Sequence, residues 1–151
     1  MSNVTAVEKR GPVYLIYVDG RLLARVDRAS FSLHPIKEGD MIDEDAYLEA
    51  TALAQEPLAY EAALSALDRS ARTERALTRY LLDRGFLPGP VENAISRLKR
   101  ARLIDDAAIA ERMIQAGVAS GRSKNAMKQK LRAKGVGDED IESALEEVSD
   151  E

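Results

Sequence analysis

The sequence predicts a mainly α protein: an elongated tandem array of two three-helix repeats, preceded by a small segment of β-hairpin plus helix. Three observations carry this: an internal duplication offset by fifty residues, short amphipathic stripes ended by glycine, and one Asp-Gly between two apolar runs. The segments fall at residues 1–56, 57–104 and 105–151, the last ending in an acidic tail.

Near the start, Val13-Tyr14-Leu15-Ile16-Tyr17-Val18 is followed by Asp19-Gly20 and then by Arg21-Leu22-Leu23-Ala24-Arg25-Val26. Both central positions of a type I′ turn need positive φ, so this pattern predicts a β-hairpin. Residues Ala29 to Leu33 suit either a short strand or a helical turn, and Lys37-Glu38-Gly39-Asp40 reads as a turn. Asp43 is placed to cap a helix from Glu44 to about Gln55, with Tyr47, Leu48, Thr51 and Leu53 as its partly buried face. Pro57 marks either a break or the first turn of the next helix.

From residue 60 the chain repeats without a gap. Leu64 falls on Ile114, Arg72 on Arg122, Leu77 on Met127, Leu81 on Leu131 and Gly85 on Gly135; Val91, Ala94, Ile95 and Leu98 fall on Ile141, Ala144, Leu145 and Val148. Such register over glycines and apolar positions alike indicates a duplicated unit. In each copy the first helix spans about Leu58–Asp68 or Asp106–Ala119. The second starts at a hydroxyl cap, Thr73 or Ser123, and stops at Gly85 or Gly135, where a left-handed residue is needed. The third starts after the Leu87-Pro88-Gly89-Pro90 stretch, or at Asp138, with apolar spacing of i, i+3, i+4, i+7. Helices this short are marginal alone, so each unit must bury its stripes internally and against its neighbour.

Composition narrows the function. The chain has no Cys and no Trp, which excludes disulfides and thiolate metal sites and suits a reducing, cytoplasmic setting. No signal-like start or membrane-length apolar run is present, so a soluble protein is expected. The lone His34, before Pro35, reads as a turn or surface residue. Asp105-Asp106 and Asp138-Glu139-Asp140 read as helix starts, and Gly117 and Gly121 lack the context of a phosphate loop. No catalytic constellation, metal site or cofactor motif stands out, so a non-enzyme is expected.

The charge pattern is more informative. Net charge is −4, yet residues 69–102 hold nine basic residues against three acids, 112–137 hold seven and no acid, and 138–151 hold eight acids and no base. In the second copy Lys124, Lys128 and Arg132 form an i, i+4, i+8 line, with Lys130 and Lys134 on the other edge and Arg122 just before the helix. In the first copy Arg72, Arg75, Arg79 and Arg84 occupy the corresponding stretch, and Arg97, Lys99, Arg100 and Arg102 close the third helix. Together these fourteen residues are the candidate contact surface for phosphates or for an acidic protein groove. Tyr80 and Phe86, the only aromatics near it, are assigned to the core, so any nucleic-acid contact is expected to be electrostatic.

The stretches Arg72-Thr73-Glu74-Arg75-Ala76-Leu77, Leu81-Leu82-Asp83-Arg84-Gly85-Phe86 and Leu103-Ile104-Asp105-Asp106, continued by Gly121-Arg122-Ser123-Lys124 and Leu131-Arg132-Ala133-Lys134-Gly135-Val136, resemble RecX-type recombination regulators. Tyr17-Val18-Asp19-Gly20 and Lys37-Glu38-Gly39-Asp40 resemble the family's N-terminal extension. The resemblance implies a cytosolic bacterial protein of DNA repair, and a monomer is expected. Its partner would be the RecA recombinase and its filament on single-stranded DNA, with ATPase and strand exchange damped and weak direct DNA binding besides. The family pattern usually has three repeats. Two are present here, and the acidic run Glu146 to Glu151 is read as a cap on the array. The rival reading is a small non-specific DNA-binding protein built of the same units.

Overall fold

A computed structural model describes residues 1–148. It begins with a strand that apolar patterning does not mark, β1 (Ser2–Arg10), followed by the expected hairpin β2 (Val13–Val18) and β3 (Arg21–Asp27). Asp19 and Gly20 both take positive φ (47° and 80°), as a I′-type turn requires. A short β4 (Met41–Ile42) completes an antiparallel sheet of order β3-β2-β1-β4. The Lys37–Asp40 turn is tied to β1 through Val4 N–H to the Asp40 carbonyl and Gly39 N–H to the Val4 carbonyl, both 2.8 Å. Residues 28–33 form a helix, α1 (Arg28–Leu33), whose Phe31 ring stacks on Tyr14 at 4.0 Å over the sheet.

Asp43 caps α2 (Glu44–Arg69) by accepting from the Ala46 N–H, but the helix does not stop near Gln55. It runs unbroken through Pro57 for 26 residues, so the line between residues 56 and 57 falls inside a helix. Proline removes the donor for the Leu53 carbonyl one turn earlier, a loss water can offset where the face is wet. Leu53 is 72% exposed, and Pro57 lies on the same side. Leu53 therefore does not belong to the buried face, which instead runs Tyr47, Thr51, Gln55, Ala59, Ala63, Ala66 at helical spacing. The helix serves two cores: Tyr47 packs under the sheet with Ile16, Val26 and Phe31, while Ala59, Ala63 and Ala66 let α4 approach closely.

The repeat is folded as the spacing predicts. In the first copy α3 (Glu74–Asp83) and α4 (Pro88–Arg100) close on the end of α2 around Leu77, Leu81, Phe86, Val91, Ile95 and Leu98. In the second, α5 (Asp106–Ala119), α6 (Lys124–Lys134) and α7 (Asp138–Leu145) close around Ile114, Met127, Leu131, Val136, Ile141 and Leu145. Thr73 and Ser123 accept from Ala76 and Ala126 N–H, and Gly85 and Gly135 take φ of 92° and 93°. α4 begins earlier than expected, at Pro88, because prolines in a first turn have no intrahelical N–H to lose.

Three separate apolar clusters therefore lie in a row, one per segment. Accessible surface is 9193 Å², against about 7,600 Å² for a compact monomer of this mass. The excess fits an elongated array. Of the acidic tail, Ser149, Asp150 and Glu151 lie outside the described residues.

Candidate functional site

The two repeats meet at a seam made mostly of polar contacts. Thr73, the cap of α3, donates its hydroxyl to the Lys134 carbonyl at the end of α6 (2.6 Å). In return Asp106, in the first turn of α5, accepts the Glu74 N–H of α3 (2.9 Å). Asp105 caps α5 itself through Ala108 N–H. The Asp106 carboxyl is pushed above its ordinary value, chiefly by burial and further by the nearby charges of Glu74 and Asp140, against the Glu74 hydrogen bond and Lys99. Gly135 sits on Arg75 so closely that an added Cβ would lie 2.8 Å from the Arg75 Cβ.

The same joint occurs one unit earlier. Gly85 lies against the sheet end, where an added Cβ would meet Asp27 N at 2.5 Å, and its carbonyl accepts the Asp27 N–H (3.1 Å). Buried Gln55 locks this joint: its amide donates to Asp27 Oδ1 (2.8 Å) and the Gly85 carbonyl (2.7 Å), and its oxygen accepts the Leu87 N–H (2.8 Å). The N-terminal sheet thus occupies, relative to repeat 1, the position that repeat 1 occupies relative to repeat 2.

The fourteen candidate cations separate into groups. Lys128 pairs with Glu142 of α7 (2.8 Å) and Arg132 with Asp138 (3.1 Å), so the line that also carries Lys124 faces the acidic helix. Lys99 pairs with Glu74 at 3.3 Å. Arg97 lies over the Tyr60 ring at 3.9 Å. Arg79, Arg100, Arg102, Lys130 and Lys134 are exposed, and Arg102 takes a left-handed φ of 58° beyond α4. Arg122 and Lys124 line a groove of about 1060 Å³ along α5, α6 and α7, with Ile114, Val118 and Met127 as its apolar floor.

The remaining group gathers around Tyr80. That ring is not simply a core residue: it is half-buried, with the guanidiniums of Arg72, Arg84 and Arg69 at 4.6, 5.5 and 5.9 Å from its centre. Phe86 is buried as expected. Arg72 also lines a cleft between the repeats together with Lys134 and Arg112. Arg69 and Arg112 were not among the candidates, because they sit on the first helix of each unit rather than the second. The repeat gives no flag either, since position 62, the counterpart of Arg112, is Ala. Among the described residues no cluster of His, Asp and Glu could hold a metal ion, and no helix is long and apolar enough to cross a membrane.

Residues 59–98 match the family model described as RecX, first three-helix domain, and residues 105–145 match that of RecX, second three-helix domain. The chain belongs to the RecX family. Its similarity to RecX proteins extends beyond the two matched domains: a regulatory protein RecX of Limosilactobacillus reuteri (strain DSM 20016) is 27% identical over all of this chain and 58% of its own length. A regulatory protein RecX of Mycobacteroides abscessus is 35% identical over 62% of this chain and 46% of its own. These matches thus span about half the length of the RecX relatives. A crystal structure of a regulatory protein RecX superposes with a TM-score of 0.61 at 26% identity, over 99% of this chain and 75% of that one.

Proposed function

We propose that this chain is a non-catalytic regulator that docks on the RecA recombinase assembled on single-stranded DNA and damps its ATPase and strand exchange. One observation supports it best. Two units with the same hydroxyl-capped second helix are joined by a glycine contact, and each carries cations on or beside that helix, with Arg72 and Arg84 of the first at the positions of Arg122 and Lys134 of the second. A periodic partner such as a filament suits a periodic surface.

Co-sedimentation with the recombinase on oligo-dT tests this. Binding is expected at low salt, weakening as salt rises because exposed charges are screened over about 8–10 Å at physiological ionic strength. Arg79→Glu combined with Lys130→Glu, both exposed and on equivalent helices, is expected to lower filament binding about tenfold or more. No binding at low salt would reject the reading. Lys128 and Arg132 are poorer probes, since reversing either also breaks a pair to α7. The rival, a non-specific DNA-binding protein, predicts binding to naked DNA as tight as to the filament.

A further inference from the structure

The cleft between the repeats has a volume of about 410 Å³. It is walled by Arg72 and Thr73 from repeat 1 and by Ile109, Arg112, Met113 and Lys134 from repeat 2, with three cations and no acid among the described residues of its lining. Arg72 is pinned over Tyr80 at 4.6 Å, and its buried Nε has no hydrogen-bond partner. Arg69 and Arg84 share the same ring.

Crowding like charges is unfavourable unless an anion joins them, and a buried donor without an acceptor costs free energy. This chain has acids in excess, and elsewhere it uses them: Lys99 on Glu74, Lys128 on Glu142, Arg132 on Asp138. At the cleft the described residues place none.

We infer that this cleft is a phosphate site, taking a backbone phosphodiester of a nucleic-acid strand between Arg72 of the first repeat and Arg112 and Lys134 of the second. A guanidinium held flat by an aromatic ring presents a rigid fork of donors, which matches phosphate oxygens better than a mobile ammonium does. Arg69 and Arg84 continue the positive surface on the Tyr80 side, where neighbouring phosphates of the same strand would lie. The Tyr80 face is already covered by guanidiniums, so the contact is with backbone rather than stacked bases. Because the repeats share no apolar core, a bridging phosphate would also fasten one to the other. The inference rests on the proposed function only for where the strand is met, not for the chemistry of the cleft.

Fluorescence anisotropy of labelled oligo-dT with the full chain, in the absence of recombinase, tests it. Arg72→Gln with Arg112→Gln is expected to weaken binding about tenfold and to flatten its salt dependence by about one phosphate contact. Arg25→Gln with Arg28→Gln, an equal charge change on the N-terminal segment, is expected to change it less than about twofold. Lys134→Gln, which alters an exposed side chain and keeps the backbone carbonyl that Thr73 uses, is expected to weaken binding about threefold; it keeps the test valid if the Arg72 variant melts early by circular dichroism. Equal losses in the cleft and control variants would overturn the site, since only net charge would then matter. Displacement of oligo-dT by poly-glutamate at matched charge would overturn it too, by assigning the cleft to carboxylates. Oligo-dT binding through the cleft without any filament binding would leave the site standing and reject the proposed function instead.

Discussion

Gln55 illustrates how much one buried polar side chain can organise. Both amide hydrogens and the oxygen are used, across three parts of the chain. Gln55→Leu fits the volume but strands the Leu87 N–H and one Asp27 oxygen, and is expected to cost about 2–3 kcal/mol in urea unfolding. Little or no loss would mean that water replaces the amide. Asp106 makes a pH-dependent prediction. Its folded carboxyl binds a proton more readily than the ordinary value of 3.8 allows, so its ionisation opposes folding. The sign follows: this contribution is most favourable below the unfolded value and is lost as pH rises through the folded one. Asp106→Asn keeps an acceptor for the Glu74 N–H without the charge. It is expected to flatten stability against pH over that window and to be no less stable than the parent at neutral pH. A steeper profile or a clear loss at neutral pH would contradict this. Neither residue's role was legible in the sequence. Gln55 looked like the end of a helix, and Asp106 like a dipole partner of its own helix, because the groups that decide their roles lie about thirty residues away.

At the scale of elements, local signals are legible in the sequence and tertiary ones are not. The hydroxyl caps, the glycine stops and the Asp-Gly turn act within a few residues, so they appear in the sequence as they act in the fold. Strand β1 was missed because its pairing to β2 and β4, not its own mixed composition, makes it a strand. The continuity of α2 was missed because proline normally breaks helices, and only the exposure of that turn shows why it does not here. The two joints give the element-level prediction. Gly85→Ala and Gly135→Ala both force alanine into left-handed backbone, at about 1–2 kcal/mol each. Gly85→Ala also drives Cβ into the backbone at Val26 and Asp27, whereas Gly135→Ala meets the Arg75 and Thr73 side chains. Thermal melts should therefore show the Gly85 variant as the less stable, and the reverse order would contradict the joint as described.

For the whole molecule, the duplication explains both what was visible and what was hidden. It showed two basic helices, but not that α7 pairs with part of the second or that Arg72, Arg112 and Lys134 meet at the seam. Pairing is a property of the assembled array, so no single-chain pattern of charges discloses it. The array itself is three small cores joined by repeated glycine contacts, a shape suited to lying along a regular partner. The most direct test of that reading is the single-stranded-DNA-dependent ATPase of the RecA recombinase, measured with increasing amounts of this chain. A progressive fall in rate, weakened by the Arg79→Glu and Lys130→Glu pair, is the predicted result. An unchanged rate at concentrations where the chain is in excess over the recombinase would contradict it.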